Sequence, residues 1–283
     1  MNVFFEIIEH TLLDSIKLIP FLFLTYLLME YIEHKTSNKV RQTILKSGKL
    51  GPLFGGLVGI VPQCGFSVSA TNLYAARVIS LGTLIAVYLT TSDEMLPILV
   101  SEKIAITTIL TILGIKLIIG VLAGFVIDFV LRKLNKNKLE EKIVDICEHE
   151  HCHCEEGIIK SSIKHTLSIF VYIVIITFIL NSVIHLIGEE TLAHFASKNI
   201  ILGPVVAGVI GLIPNCASSV ILTQLFVENV ISMPILISGL CVNAGVGLLV
   251  LFRINKNLKE NLKITGLLYA IGVISGILLE III

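Results

Sequence analysis

The sequence predicts an all-α, polytopic membrane protein built as two related halves, and three observations carry that expectation. Hydrophobic residues make up 55% of the 283-residue chain and charged residues only 15%, whereas a soluble domain carries about 25% charged residues. Long apolar runs, Ile104–Leu131 and Leu167–Ile187 among them, supply the roughly 20 residues that a spanning helix needs. The third observation is a repeat: GPLFGGLVGIVPQC, beginning at Gly51, returns as GPVVAGVIGLIPNC, beginning at Gly203. Mean hydropathy is +0.93. An apolar soluble bundle is the alternative, but a chain this size would lack the polar residues to cover its surface.

The repeat holds at a constant spacing of 152 residues. Its identities include Gly51/Gly203, Pro52/Pro204, Gly56/Gly208, Gly59/Gly211, Pro62/Pro214, Cys64/Cys216, Ser67/Ser219 and Thr71/Thr223. Val78-Ile79-Ser80 then matches Val230-Ile231-Ser232, and His10-Thr11-Leu12 matches His165-Thr166-Leu167 after a short slip. Apolar segments resemble one another by composition alone; aligned Pro, Gly and Cys positions do not arise that way. Each half therefore has the same order of elements. A helix (Glu9–Ile32; Ile163–Ile187) leads to a Pro/Gly-interrupted stretch (Leu50–Ala76; Ile201–Val227). A helix follows (Ile79 to about Val100; Val230–Phe252), and then a last one (Ile104–Leu131; Leu262–Ile283). The expected organisation is a first transmembrane repeat over 1–131, a linker over 132–162 and a second repeat over 163–283.

Loop charge sets the expected topology, because Lys and Arg collect on the cytoplasmic side. The basic loops are His34–Lys49, Arg132–Lys142 and Arg253–Lys263. All three fall on one face if each interrupted stretch enters and returns as a re-entrant hairpin. Each half then crosses three times and the halves are inverted, giving six crossings and two hairpins, or ten hydrophobic segments. The chain is expected in a bacterial-type inner membrane with its central loop cytoplasmic. The start of the chain has Glu6 and Glu9 but no basic residue before His10, which does not fit a cleavable signal peptide, so residue 1 is expected to be mature.

Breaks such as Pro62-Gln63-Cys64-Gly65 free backbone groups that lipid cannot satisfy, and they are tolerated only beside protein or a watery cavity. In inverted-repeat transporters two such elements meet near the midplane with their helix ends aimed at the solute. Pro62, Gln63 and Cys64, facing Pro214, Asn215 and Cys216, are therefore the expected substrate site. Asn72, Gln224 and Asn243 join them, and Ser67, Thr71, Ser218, Ser219 and Thr223 extend the path. The plainer alternative makes Pro and Gly packing kinks and Cys a small apolar residue; Cys241, which has no counterpart, is read that way. Asp93, Glu94 and Lys116 are the coupling or proton candidates, since ionisable groups inside apolar segments are costly unless paired or used. The alternative for the two acids is helix capping at the outer interface. Asp14 and Lys17 are expected to form a local ion pair.

Six cysteines do not form a disulfide framework here. Three belong to the run Cys147-Glu148-His149-Glu150-His151-Cys152-His153-Cys154, where Cys147, His149, His151, Cys152, His153 and Cys154 suit Zn²⁺ or a similar ion. Their spacing is not that of a zinc finger, so a flexible loop that captures or senses metal is expected; an incidental polar linker is the alternative. No Gly-rich phosphate loop with Lys and Ser/Thr is present, and no Ser/His/Asp arrangement can be assembled. The chain is thus expected not to be an enzyme and to need no cofactor, metal being its substrate or regulator. Net charge is zero, so nucleic acid is not an expected partner. The bilayer and a metal or metalloid ion are, with homo-oligomers left open.

At Pro62-Gln63-Cys64-Gly65 and Pro214-Asn215-Cys216-Ala217 the sequence resembles the heavy-metal exporters described as having ten transmembrane segments, a family also named for arsenic efflux and for manganese transport. Thr91-Ser92-Asp93-Glu94, Asn243-Ala244-Gly245-Val246-Gly247 and the His-rich loop extend the resemblance over nearly the whole chain. It implies metal or metalloid export. Arsenite seeks thiols, which Cys64 and Cys216 would supply. Mn²⁺ prefers oxygen, from carbonyls, Gln63, Asn215 and Asp93 or Glu94. Manganese or another divalent cation is the first expectation and arsenic the second. A membrane metal sensor or assembly subunit, and a thiol redox protein using Cys64 and Cys216, are the competing classes.

Overall fold

The structure is a computed structural model. It describes residues 50–63, 65–92, 94–134, 158–187 and 201–282, with 16, 19, 20, 22–24, 26 and 27 from the first predicted helix. Every regular element among them is helical. They are α1 (Gly51–Gly59), α2 (Gly65–Ala75), α3 (Leu81–Thr90), α4 (Met95–Ser101), α5 (Ile106–Leu134), α6 (Ile158–Ile187), α7 (Leu202–Gly211), α8 (Ala217–Val227), α9 (Met233–Val242), α10 (Gly247–Ile254) and α11 (Leu258–Ile282).

The two Pro/Gly-interrupted stretches are helix pairs, α1–α2 and α7–α8. Pro62 and Pro214 have no N–H to continue the ladder, and the backbone turns at the same place in both: Gln63 N–H donates to Val61 O at 2.7 Å, and Asn215 N–H to Ile213 O at 2.8 Å. With a 1.5 Å rise per residue these helices are about 14–17 Å long, half of a bilayer's hydrocarbon thickness.

One expectation is corrected. Ile79–Val100 and Val230–Phe252 read as continuous helices; each is two helices with a break at its centre, between α3 and α4 and between α9 and α10. At the first break three successive hydroxyls serve nearby carbonyls: Thr90 donates to Ala86 O at 2.9 Å, Thr91 to Val87 O at 2.8 Å and Ser92 to Thr90 O at 3.1 Å. Side chains that bond backbone in this way compete with helix propagation. At the second break Asn243 Oδ1 accepts from Gly245 N–H at 2.8 Å, and Gly245 takes φ 55°, a left-handed position open to glycine. Smaller differences lie at the ends: α5 continues to Leu134, α6 starts at Ile158, and α11 starts at Leu258.

Both halves pack by the same scheme. The pair α1/α3 is repeated by α7/α9, α3/α5 by α9/α11, and α1/α5 by α7/α11. The halves also exchange contacts: α2 lies against α10, α8 against α4, and α3 meets α9. Five stretches of the described residues are long and apolar enough to cross a membrane. Two of them, Leu81–Ser101 and Met233–Ile254, are 71% and 89% buried, whereas Ile106–Lys133 and Leu258–Ile282 are each 28% buried. The broken helices therefore form the centre. The long helices α5 and α11 stand outside, presenting Leu110, Leu122, Phe129, Ile274 and Leu278 outward, as lipid-facing helices do.

Small residues set the spacing, as they commonly do between helices in lipid. A Cβ on Gly59 would collide with Val87 O and Thr90, and one on Gly211 with Gly239 O and Val242. Gly120 meets Ala86 O and Thr90, and Gly272 meets Ser238 O and Val242. Each second contact is the first moved by the repeat spacing. Carboxylates lock the starts of the central helices in the same duplicated way. Ser80 and Ser232 cap α3 and α9. Asp128 accepts from Ser80 Oγ at 2.7 Å and Gly82 N–H at 2.9 Å, while Glu280 accepts from Ser232 Oγ. A carboxylate beside exposed N–H groups at a helix start is well placed.

Gly114 and Gly266 have open space around a would-be Cβ. Alanine at either is expected to raise thermal stability by about 0.5–1 kcal/mol through helix propensity. Alanine at Gly59 or Gly211 is expected to lower the unfolding midpoint of the detergent-purified protein. Circular dichroism melts of the four variants check both signs.

Candidate functional site

The breaks of α3/α4 and α9/α10 come together at the centre, and the side chains around them are polar and buried. Ser67, Thr71 and Asn72 on α2, Thr90, Thr91 and Ser92 at the first break, Ser218, Ser219 and Thr223 on α8, and Asn243 at the second break are all buried. In a chain this apolar, so many buried hydroxyl and amide groups need mutual satisfaction.

Lys116 stands at the junction. It is fully buried on α5, and its Nζ donates to Thr91 O at 2.5 Å and to Leu240 O at 3.3 Å. Thr91 ends α3 and Leu240 lies in the last turn of α9. The ammonium therefore joins carbonyls from the C-terminal ends of the two half-helices, where the helix dipole favours positive charge. The sequence pointed to Lys116, Asp93 and Glu94 together as coupling or proton candidates. Glu94 is half-buried, next to α4, with no side-chain cap bond; Asp93 lies outside the described residues.

A second junction pins the other break. Tyr88 OH is 2.6 Å from Thr71 Oγ1 and 3.3 Å from Gly247 O, the first residue of α10. Thr71 Oγ1 also lies 2.7 Å from Ser67 O and 3.2 Å from Gly247 O. With one proton each, Thr71 can serve Ser67 O while Tyr88 serves Gly247 O. Next to them Asn72 is fully buried; its Oδ1 accepts from Tyr26 OH at 3.4 Å, and among the described residues its Nδ2 has no partner. An unpaired buried amide is unusual enough to mark a place where a ligand or water completes the bonding.

The hairpin turns differ from one another. Asn215 is buried and Cys216 nearly so, with Asn215 Oδ1 accepting from Ser218 N–H at 3.3 Å at the start of α8. Pro214 and Gln63 are half-buried, Pro62 is exposed, and Cys64 lies outside the described residues. Cys216 shares a buried cluster with Leu22, Tyr26, Val68, Ile169, Ile173, Val246 and Val250, which brings the second turn against α2, α6 and α10. Gln224 is exposed on α8. Cys241, read as packing, is fully buried in α9 one residue after the carbonyl that Lys116 holds. Cys147, His149, His151, Cys152, His153 and Cys154, together with Asp14 and Lys17, lie outside the described residues. Among the described residues no three His, Cys, Asp or Glu side chains gather as a metal site.

At one surface the halves are tied by charge. Arg77 Nη1 and Nη2 reach Glu260 Oε1 and Oε2 at 3.0 and 3.1 Å, and Tyr74 OH donates to Oε1 at 2.5 Å. The Glu260 carboxylate holds the Arg77 guanidinium above its ordinary pKa. Arg77 has φ 60° and its repeat mate Asn229 φ 59°, so the left-handed turn after α2 and α8 is duplicated too. Sequence reasoning passed over Tyr88, Asp128 and this triad. The shared spacing of Ser80/Ser232 and Asp128/Glu280 was the signal for the second of them.

An apolar helical bundle whose most buried helices are broken, with polar side chains and Lys116 at the breaks, defines a multi-pass membrane protein. The chain belongs to the family described as "Putative, 10TM heavy-metal exporter", whose profile matches residues 5–185, more than half of its length. That match takes in the first half, the linker and the first helix of the second half. No curated protein and no solved structure matches the chain.

Tyr88→Phe is expected to destabilise the protein by about 1 kcal/mol, the usual worth of a hydrogen bond. Combined with Thr71→Val, the loss should be less than the sum of the two, because the two hydroxyls are in direct contact at 2.6 Å. A double-mutant cycle on denaturation midpoints measures the difference.

Proposed function

We propose that the protein exports a heavy-metal or metalloid ion across the cell's inner membrane, with the cargo held between the paired broken elements. The observation that carries this reading is the Lys116 ammonium on the carbonyls of Thr91 and Leu240. Two helix C-termini aimed at one point are an environment for a cation. Lys116 fills it while protonated. A divalent cation entering the same carbonyls requires that Lys116 give up its proton to water or swing aside, so cargo and proton compete and their movements are coupled. Asp93 and Glu94, at the first break, are the groups through which the proton leaves.

Asn72, Asn215, Asn243, Gln63 and Gln224, with Pro62, Cys64, Pro214 and Cys216 at the turns, supply the cargo's path. Oxygen-rich donors favour manganese or another divalent cation, and Cys64 with Cys216 would favour arsenite. The short paired helices α1–α2 and α7–α8 support re-entrant hairpins, and the packing repeated across the halves supports a two-fold relation. With the basic loops on one face, that relation is an inverted one. The linker with Cys147, His149, His151, Cys152, His153 and Cys154 then lies in the cytoplasm, where an exporter collects its cargo.

Cells expressing the protein are challenged with Mn²⁺, Zn²⁺, Cd²⁺ and arsenite, and their metal content is measured. One element is expected to fall, and Cys64→Ser with Cys216→Ser is expected to abolish the fall if arsenite is the cargo. Lys116→Arg keeps the charge but does not release a proton at physiological pH. It should still reach the membrane and should lose export at least about tenfold, since it removes a proton-transfer group. Export by Lys116→Arg at the unaltered rate would remove Lys116 from the coupling. No change in any element would remove export.

A further inference from the structure

We propose that the groove between α6 and the end of α10 binds an anionic phospholipid, its phosphate held by Lys164 and Arg253. The groove is open, about 580 Å³ in volume, and has two unlike parts. Leu167, Val171 and Ile175 form an aliphatic stripe on α6, each about half exposed, within the apolar stretch Ser162–Ile179. Lys164 precedes that stripe on the same helix, and Arg253, in the last turn of α10, lines the same groove. Ser168 and Tyr172 complete the lining, so the groove contains two cations and no acid.

Neither cation has a carboxylate partner among the described residues. Arg253 lies 5.4 Å from the centre of the Tyr172 ring, a cation–π contact that holds the guanidinium over the groove. The acid nearest in sequence, Glu260, is engaged by Arg77. Two uncompensated cations at the edge of an exposed apolar stripe fit a ligand with an anionic head and aliphatic tails. A soluble anion would leave the stripe bare, and a neutral lipid would leave the charges unanswered. Basic pockets between transmembrane helices bind acidic headgroups on these grounds. Val246 and Val250 share a buried cluster with Ile169 and Ile173, so a lipid seated here would brace α10, the helix after the second break, against α6.

The test is native mass spectrometry of the full-length protein with phosphatidylglycerol and phosphatidylcholine supplied together, alongside thermal melts in each lipid. Phosphatidylglycerol is expected to be retained at least about tenfold better and to raise the melting midpoint. Lys164→Gln with Arg253→Gln should weaken that retention about 25-fold, at roughly fivefold for each charge. The control Arg132→Gln with Lys133→Gln, a basic pair at the end of α5 outside the groove, should leave it unchanged. Equal retention of the two lipids by the unaltered protein overturns the proposal, and that result does not depend on any variant folding. An equal loss in the control overturns it in favour of surface charge alone. Displacement of phosphatidylglycerol by millimolar inorganic phosphate overturns it in favour of a site for the free anion.

Discussion

A helix that stops inside an apolar bundle leaves carbonyls that neither lipid nor hydrocarbon side chains can satisfy, and the centre of this protein is arranged around that constraint. Two helices, α3 and α9, end among buried residues. The end of α3 is met by the hydroxyls of Thr90, Thr91 and Ser92 and by Lys116. The last turn of α9 is met by the same lysine. At the start of α10, Gly247 O accepts a further bond from Tyr88. Each of these partners sits on a different helix from the group it serves, or at its extreme end. Removing one therefore loosens a contact between elements rather than a turn within one.

That dependence explains why small residues recur where they do. For Lys116 on α5 to reach Thr91 O, α5 must approach α3 closely, and Gly120 and Gly124 face Ala86, Thr90 and Gly82 across that contact. Gly59 brings α1 to the same stretch of α3. The duplicated glycines Gly211, Gly272 and Gly276 do the same for α9. The carboxylates Asp128 and Glu280 hold the opposite ends of α3 and α9 through Ser80 and Ser232. Each central helix is thus fixed at both ends, by an anion at its start and a cation at its finish, in the sense the helix dipole favours.

The class, the duplication and the two Pro-interrupted helix pairs were legible in the sequence because Pro and Gly act locally and hydropathy sums over whole segments. The breaks in the third elements were not. Thr90-Thr91-Ser92 interrupts the helix by turning hydroxyls onto its own carbonyls, and such residues leave hydropathy nearly unchanged. Asp93 and Glu94 stood out as charges rather than as the edge of a break. Lys116 was visible as a buried cation, but its acceptors are backbone atoms of two other helices, which no side-chain pattern announces. Asn72 was legible as a polar residue beside the turn; that its amide lies buried with one nitrogen unpaired follows from tertiary packing. Arg77 and Glu260 lie in separate halves, and nothing local joins them.

The two halves agree in their glycines, caps, turns and packings, so their differences stand out as changes made on a working frame. The repeat mate of Lys116 is Leu268, buried like it, and the mates of Tyr88 and Asp93 are Leu240 and Gly245. The first half has the cation and the phenol, while the second offers the carbonyls of Leu240 and Gly247 to those same groups. The asymmetry is complementary: each break in one half is completed by a side chain of the other or shared with it. A symmetric ancestor with leucine at both positions would leave Thr91 O and Leu240 O facing one another without a donor. One lysine reaches both helix ends, so the contact between the C-terminal ends of α3 and α9 turns on a proton-bearing group of the first half.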